Sequence, residues 1–297
     1  MKTILFSFLL GIFLLTGCGQ GGQQAKDDAA ASDTTASDTV SLTEVWATDT
    51  TLRTPESVLF DPDRDVLYVS NVNMNPWEKD GNGFLSKLDT EGNILELEWV
   101  TGLDGPKGMG IANNMLYVAD IDNLVEINIE TGTIENKYFV EGEPSLNDVT
   151  VGDDGTVYVS GSASDKVYTF RNGQYEVLFE GELGRPNGLL YENGKLYMLT
   201  SGSSELVVFD LETMEKTKLA SGFGHGDGFV QAGGQGYLAS NWQGEIFYVS
   251  PDWETSKLMD TKDKNINTAD LEYISEENWL LVPTFFDNRV VAYKVEK

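Results

Sequence analysis

The sequence predicts an all-β fold, a six-bladed β-propeller, because one hairpin pattern recurs along most of the chain. Residues 185–201 read RPNGLLYENGKLYMLTS, in which two runs of strand-forming residues flank an Asn-Gly turn. The pattern returns at intervals of 40 residues, starting at Asn147, Asn187 and Asp227. Three weaker copies bring the total to six units, and a unit of about forty residues has room for the four strands of a propeller blade.

One position starts every copy of the hairpin, and we call this set of residues the inner column. From the first unit to the sixth, the inner column consists of Glu56, Lys107, Asn147, Asn187, Asp227 and Ala269. The innermost strand of a propeller blade runs along the central channel, so equivalent positions from different blades face one another. We therefore expect the function of the protein to reside in the inner column.

The remaining β-type runs are short, and no segment has the hydrophobic periodicity of a sustained amphipathic helix. Predicted strands cover residues 67–70, 116–119, 157–160, 167–170, 206–211, 245–249 and 290–295. The Asn-rich insertion 71–83 is expected to form a surface loop over one face. Residues 42–47 have no blade of their own, so we expect them to pair beside 290–295 and close the ring, since an unpaired edge strand would be exposed. A pair of β-sandwiches is the alternative fold, but sandwiches do not repeat at one period over such a length.

Composition excludes several classes of function. The chain has 297 residues, with 20 Lys and Arg against 48 Asp and Glu, which gives a formal charge of −28. Such an acidic protein would repel nucleic acid phosphates, so no nucleic acid partner is expected. The excess charge chiefly indicates a well-solvated surface. The single cysteine allows no intramolecular disulfide.

The N-terminal residues predict a lipid anchor. Residues 1–17 combine a basic start with a short apolar run, as in a signal peptide. The run ends in LTGC, which resembles the lipobox of bacterial lipoproteins, so Cys18 would be the lipidated residue of the mature chain. Residues 18–41 have almost no apolar content from which to build a core and predict a disordered tether. Residues 42–297 are predicted to form the propeller. We therefore expect an extracytoplasmic location in the cell envelope, with membrane contact through the lipid only.

The oxygen-rich members of the inner column suggest a metal site. Glu56, Asn147, Asn187 and Asp227 would bring two carboxylates and two amide oxygens to one point. Hard divalent cations prefer this ligand set, with water or substrate completing the shell. Ca²⁺ is the favoured ion, with Zn²⁺ or Mg²⁺ as alternatives, and the chain has no Cys and His cluster for a structural zinc site.

Four short motifs carry a family resemblance over roughly residues 42–297. TPES with Glu56, LND with Asn147, RPNGL with Asn187 and GDGF with Asp227 resemble the regucalcin-like family of senescence marker protein, gluconolactonase and luciferin-regenerating enzyme. The resemblance implies a divalent metal on these four residues, with Asp227 also the catalytic general base of lactone hydrolysis. It implies a metal-dependent hydrolase acting on a small lactone or ester.

Three positions depart from the family pattern. The sugar lactonases have an arginine two residues before the blade-three Asn, whereas this chain has Ser145. Lys107 occupies the blade-two position of the inner column, where it would compete with the metal or bind an anionic substrate. Ala269 offers no ligand in blade six, although Asp270 follows it. His225, the only histidine, lies two residues before Asp227 and is a second candidate for substrate binding.

Two alternatives remain open at this point. Asn and Asp at the start of a strand commonly cap turns through their own backbone, without any ligand. The protein could also be a non-enzymatic propeller that binds a ligand or a partner protein, with the metal bracing the channel. Trp242 and residues 283–289 could line the channel mouth, although aromatic residues in propellers mostly pack between blades.

Overall fold

A computed structural model describes residues 40–297 of the chain. These residues form 24 strands, which pair into six four-stranded antiparallel sheets, and two short 3-10 helices, Lys262–Lys264 and Phe285–Asp287. The innermost strand of each sheet packs beside that of the next, and the sixth returns to the first. The predicted six-bladed propeller is therefore confirmed. The predicted signal peptide, Cys18 and residues 18–39 of the tether lie outside the described residues.

The blades follow the chain in order, each from the channel outward. Blade one consists of β2 (Pro55–Asp61), β3 (Val66–Asn71), β4 (Gly83–Leu88) and β5 (Ile94–Leu103). Blade two consists of β6 (Pro106–Ala112), β7 (Met115–Asp120), β8 (Asn123–Asn128) and β9 (Thr133–Phe139). Blade three consists of β10 (Leu146–Val151), β11 (Val157–Gly161), β12 (Lys166–Arg171) and β13 (Gln174–Glu180).

Blades four and five follow the same order, whereas the outer strand of blade six comes from the start of the propeller. Blade four consists of β14 (Pro186–Glu192), β15 (Lys195–Thr200), β16 (Glu205–Asp210) and β17 (Lys216–Ser221). Blade five consists of β18 (Gly226–Gln231), β19 (Tyr237–Asn241), β20 (Glu245–Val249) and β21 (Thr255–Asp260). Blade six consists of β22 (Glu272–Ile274), β23 (Trp279–Pro283) and β24 (Val290–Glu296), with β1 (Ser41–Ala47) as its outer strand.

The first strand of the fold closes the ring, as the sequence predicts. β1 pairs antiparallel with β24, from Ser41 opposite Glu296 to Ala47 opposite Val291. It begins at Ser41, one residue before the predicted start of the propeller. Main-chain hydrogen bonds between the two ends of the chain thus replace an exposed edge.

The hydrophobic core lies between the blades rather than at the centre of the ring. Six clusters of buried side chains each combine residues of two neighbouring blades. The cluster between blades five and six, for example, contains Leu238 and Ile246 from one blade and Leu271 and Leu280 from the other. This arrangement leaves the channel for polar side chains. No helix among residues 40–297 is both long and apolar enough to cross a membrane.

A β-bulge occurs where the inner column lies on its strand. In β14, Pro186 is opposite Thr200 and Leu189 is opposite Met198, so Asn187 and Gly188 share one partner residue. The inner strands of blades one, two, three and five shift register at the same point. A bulge bends its strand and changes the direction of a side chain. Because the bulge recurs at the same place, it orients the side chains of the inner column in a similar way in these five blades. The regular alternation of side chains along a strand would not do so.

Serines of the neighbouring strands accept hydrogen bonds from several main-chain amides at the bulges. The hydroxyls of Ser70, Ser160 and Ser240 accept hydrogen bonds at 2.8 to 2.9 Å from the amides that follow the inner column in blades one, three and five. Each serine is fully buried. A buried amide without an acceptor would destabilise the fold, so these serines stabilise the bulges.

Candidate functional site

Five members of the inner column and His225 line one cavity at the end of the channel. Its volume is about 260 Å³, and Glu56, Lys107, Asn147, Asn187 and Asp227 form its polar part. The sixth member, Ala269, is fully buried and does not line the cavity. The structure therefore brings together all the predicted metal-binding, catalytic and substrate-binding residues, while Cys18 lies outside the described part. Their roles remain predictions.

Glu56 places a buried carboxyl group at the wall of the cavity. Its side chain is buried, and within residues 40–297 its Oε2 atom has no hydrogen-bond partner. Burial, together with the nearby carboxylates of Asp227 and Asp270, raises the pKa of Glu56 well above its ordinary value. A buried oxygen without a donor needs a cation or a proton to offset the loss of hydration.

Asn187 and Asp227 form a hydrogen-bonded pair across two blades. The amide Nδ2 of Asn187 donates to Oδ1 of Asp227 at 3.0 Å and to the carbonyl of Gly226 at 3.2 Å. This assignment leaves Oδ1 of Asn187 as the free acceptor of its amide. Burial and the charge of Asp270 raise the pKa of Asp227 to about 8. In the metal-free protein, burial therefore favours the protonated form of the residue predicted as general base, and a bound cation would favour the carboxylate.

Asn147 is held in a comparable way by its own blade. Its Nδ2 atom donates to the hydroxyl of Ser162 at 3.3 Å, and that hydroxyl donates to the carbonyl of Pro186 at 2.6 Å. The orientation again leaves the amide oxygen as the acceptor. Ser145, where the family resemblance implies an arginine, is buried and donates its main-chain amide to Glu143 at 2.8 Å.

Lys107 connects the inner column to the insertion between β3 and β4. Its Nζ atom donates to the carbonyls of Pro76 at 2.9 Å and Gly105 at 2.8 Å, and lies 4.2 Å from the ring centroid of Trp77. Burial lowers the pKa of Lys107 to about 8, although Glu56 opposes the shift. The predicted surface loop is confirmed, and Lys107 holds it against the mouth of the cavity.

Two more carboxyl groups lie in the channel, one residue after the inner column. Asp148 accepts hydrogen bonds from the amides of Val149 at 2.7 Å and Leu189 at 2.6 Å. Asp270, the predicted replacement for Ala269 as a ligand, accepts one from the hydroxyl of Ser57 at 2.7 Å and is therefore already paired within the protein. Burial, then their mutual charge, raises the pKa of Asp148 well above its ordinary value, and burial raises that of Asp270 to about 6.

Glycines that follow the inner column allow the inner strands to pack closely across the channel. A Cβ atom on Gly108 would overlap Oδ1 of Asp148, and one on Gly188 would overlap the carbonyl oxygen of Asp227. One on Gly228 would overlap the main chain at Leu271. The Gly after the inner column in blades two, four and five is therefore required by close packing across the channel, which the turn chemistry of the hairpin does not reveal.

Residues outside the inner column complete the mouth of the cavity. Arg185 and His225 each lie two positions before the inner column, in blades four and five, and both are exposed and line the cavity. Trp242 packs edge-on against Phe285, with ring centroids 4.5 Å apart, and both also line the cavity. The aromatic lining was one of the two predicted options. Arg185 was part of the RPNGL motif, but no role was predicted for it.

The donor set fits a hard divalent cation. Within residues 40–297, no cluster of three or more His, Cys, Asp and Glu side chains is placed to hold a metal ion, so a site here depends on the amide oxygens. The carboxylates of Glu56 and Asp227 and the amide oxygens of Asn147 and Asn187 line one cavity, and Glu56 Oε2 is unpartnered. Oxygen donors completed by water suit Ca²⁺ better than the tetrahedral sites typical of zinc.

Comparison with known proteins supports the fold but no specific function or residue role. Neither the protein-family models nor the curated proteins give a match to this chain. Among solved structures, a virginiamycin B lyase from Staphylococcus aureus, crystallised as a catalytically inactive variant with quinupristin, is 12% identical, with a TM-score of 0.57, over 86% of this chain and 99% of its own. The selenomethionine form of that lyase is 11% identical, with a TM-score of 0.59 and the same coverage.

A second type of propeller is equally similar in shape. A chain of a nidogen/laminin complex is 14% identical, with a TM-score of 0.61, over 73% of this chain and 83% of its own. One of these neighbours is an enzyme and the other belongs to a protein complex, and identities this low carry no residue roles. The likenesses establish a propeller architecture, on which unrelated functions occur.

Proposed function

We propose that this protein is a metal-dependent hydrolase of the gluconolactonase-like kind, acting on a small lactone or ester. The observation that carries the proposal is the convergence of Glu56, Asn147, Asn187 and Asp227 on one cavity, with a buried Glu56 oxygen that lacks a partner. The resemblance of the surrounding motifs to the regucalcin-like family supports it. The cavity of about 260 Å³ suits a small molecule.

These four residues would hold a divalent metal ion, with Ca²⁺ favoured and Zn²⁺ or Mg²⁺ as alternatives. When bound, such an ion supplies Lewis-acid polarisation of the substrate carbonyl. The cavity wall of Trp77, Trp242 and Phe285 would shield the substrate from bulk water.

Asp227 is the proposed general base. Its carboxylate takes a proton from a water molecule, whose oxygen then forms a bond to the lactone carbonyl carbon. The ring C–O bond breaks, and Asp227 returns the proton to the departing alkoxide, which gives a hydroxy acid. The hydrogen bond from Asn187 fixes one oxygen of Asp227, and the other would be shared between the metal ion and this transfer.

A panel of lactones and esters tests the proposal. We expect hydrolysis that needs added Ca²⁺, stops with a chelator and is lost in Asp227→Ala, and we expect one solvent ¹⁸O atom in each product acid. Product acid without solvent oxygen would indicate C–O elimination instead. Metal binding without turnover of any substrate would refute the hydrolase.

The alternative function is a non-enzymatic propeller that binds a ligand or partner protein, with a structural metal in the channel. The observation that favours it is a groove of about 590 Å³ beside the mouth, lined in part by the exposed side chains of Met74 and Phe286. Metal binding without turnover in the panel is the result this alternative predicts.

We also propose that lipid on Cys18 anchors the protein to a bacterial membrane outside the cytoplasm. The LTGC motif supports this location. Incorporation of labelled palmitate by the wild-type chain, and its loss in Cys18→Ser, is the expected result. Equal labelling of both chains would contradict the anchor.

A further inference from the structure

Arg185 differs from every other arginine of the described residues because its guanidinium has no protein partner. The other four make hydrogen bonds or ion pairs: Arg53 with the carbonyls of Thr50 and Leu52, Arg64 with Asp61 and Glu130, Arg171 with Asp154, and Arg289 with Asp287. Arg185 instead lines the cavity beside Asn187 and Asp227. In a chain with 48 acidic and 20 basic residues, a guanidinium left without any protein partner is unexpected.

The backbone of Arg185 is held in a costly conformation. Its φ angle is 62°, in the left-handed region that side chains larger than Gly adopt at an energetic cost, and Pro186 restricts it further. Its amide donates to Oδ1 of Asp165 at 2.8 Å, and its carbonyl accepts from the amide of Ser201 at 2.9 Å. Thr54, at the equivalent position before Pro55 in blade one, also has a positive φ of 45°, so this conformation belongs to the entry into the inner strand and fixes where the Arg185 side chain begins.

The lining of the cavity contains two cations, which remain when a metal neutralises its two carboxylates. Glu56 and Asp227 contribute two negative charges, and Lys107 and Arg185 contribute two positive ones. A divalent ion held by Glu56 and Asp227 would neutralise their two charges and leave those of Lys107 and Arg185 in the lining, while Asp148 and Asp270 do not line the cavity. The Lys107 ammonium donates to Pro76 and Gly105, so the guanidinium of Arg185 is the cation of this cavity that is free to form two parallel hydrogen bonds.

We propose that the cavity selects substrates that carry a carboxylate beside the bond to be cleaved, and that Arg185 binds this carboxylate. This inference takes the identity of the cleaved bond from the proposed function. The contact between Arg185 and an anion does not depend on that function. A planar fork of donors matches a carboxylate in a way that a single ammonium does not. The aromatic pair of Trp242 and Phe285 would contact the apolar part of the same substrate.

The test compares two probes that differ in one group, phenylacetate and phenylacetamide, by calorimetric titration of the Ca²⁺-loaded full chain. We expect phenylacetate to bind about tenfold more tightly, as one charge-assisted contact provides. Arg185→Ala should remove this preference, and Arg185→Lys should restore part of it. Arg171→Ala, which alters an arginine paired with Asp154 outside the cavity, is the matched control and should keep it.

The same titration with a chelator separates this inference from the proposed function. If Arg185 still confers a preference for phenylacetate without metal or turnover, the anion contact holds even when hydrolysis fails. Equal affinity of the wild-type chain for the two probes would overturn the inference, as would an unchanged preference in Arg185→Ala. With lactone substrates, the predicted effect of Arg185→Ala is about a tenfold loss of kcat/KM for carboxylated substrates only.

Discussion

The side-chain amide of Asn187 donates a hydrogen bond to Oδ1 of Asp227 at 3.0 Å and so links the inner strands of blades four and five. Both residues lie on bulges that start at the same place in their strands. The contact fixes which oxygens of the pair remain available in the cavity. Those oxygens, with Glu56 and Asn147, are the ones that we propose to bind a metal ion.

Replacing Asp227 with Asn should stabilise the metal-free protein. Glu56, Asp148, Asp227 and Asp270 place four carboxyl groups in one channel, and burial raises the pKa of each. The substitution removes one of the groups that must be buried while it keeps an acceptor for Asn187, so we expect a gain of about 2 kcal/mol at pH 8 in a chelator. Urea unfolding measures the difference.

The matched control for this substitution is Asp252→Asn, which removes an exposed carboxylate from a turn. It changes the net charge equally and should alter the unfolding free energy by less than about 0.5 kcal/mol. A loss of stability in Asp227→Asn under the same conditions would mean that the channel carboxylates are compensated within the protein itself.

Gly188→Ala should strongly destabilise the propeller. The new Cβ atom would overlap the carbonyl oxygen of Asp227, and two packed inner strands cannot separate without disturbing the core between blades four and five. We expect a cost of about 3 kcal/mol, measured by urea unfolding. Gly194→Ala is the control, because Gly194 has open space around it and only a φ of 74° to strain, which costs about 1 kcal/mol. Similar losses in the two variants would contradict the close approach.

Lys107→Met should loosen the loop at residues 72–82. The ammonium of Lys107 donates to the carbonyl of Pro76 and lies over the ring of Trp77, and Met keeps the stem but not these contacts. Amide hydrogen exchange of the loop should become at least about tenfold faster, as expected for the loss of a charge-assisted contact. In the control, Lys137→Met, an exposed lysine loses its bond to the carbonyl of Gly102 and the loop should be unaffected. Unchanged exchange in Lys107→Met would leave substrate binding as the role of this lysine.

Glu272 should make stability depend on pH. It accepts hydrogen bonds from the amides of Phe60 and Tyr273, and burial raises its pKa to about 7. A carboxyl whose pKa is higher in the folded state contributes stability that is full below its unfolded pKa and is lost as the pH rises through 7. Relative to Glu272→Gln, the wild-type chain should therefore lose roughly 2 kcal/mol between pH 5 and pH 8. A difference that stays constant with pH would contradict this assignment.

The repeat made the fold predictable, because six copies of one hairpin require six equivalent blades and a closing strand. The same equivalence predicted that Glu56, Asn147, Asn187 and Asp227 would meet, since each occupies one position of one unit. Pairing across the channel was not predictable. The bulges depend on which residues lie opposite each inner strand, and the serines that stabilise them belong to the second strand of the blade.

Two features of the site could not be predicted from the sequence, for different reasons. In the sequence, Asp148 is only the last residue of the LND motif, and the packing of Gly108 against it reveals a second layer in the channel. Arg185 lies two residues before Asn187, in a position occupied by Ser145 in blade three and His225 in blade five. Arg185 is important because its guanidinium has no hydrogen-bond or ion-pair partner in the protein. This property cannot be recognised from one sequence.

Calorimetric titration of Ca²⁺ into the metal-free chain tests the central claim most directly. The proposed site predicts one bound ion per chain for the wild type, and no detectable binding to Asp227→Asn or to Glu56→Gln, which each remove one of two carboxylate ligands. Asp252→Asn should bind as the wild type does. Absence of binding to the wild type, or undiminished binding to both cavity variants, would show that these residues do not form a metal site.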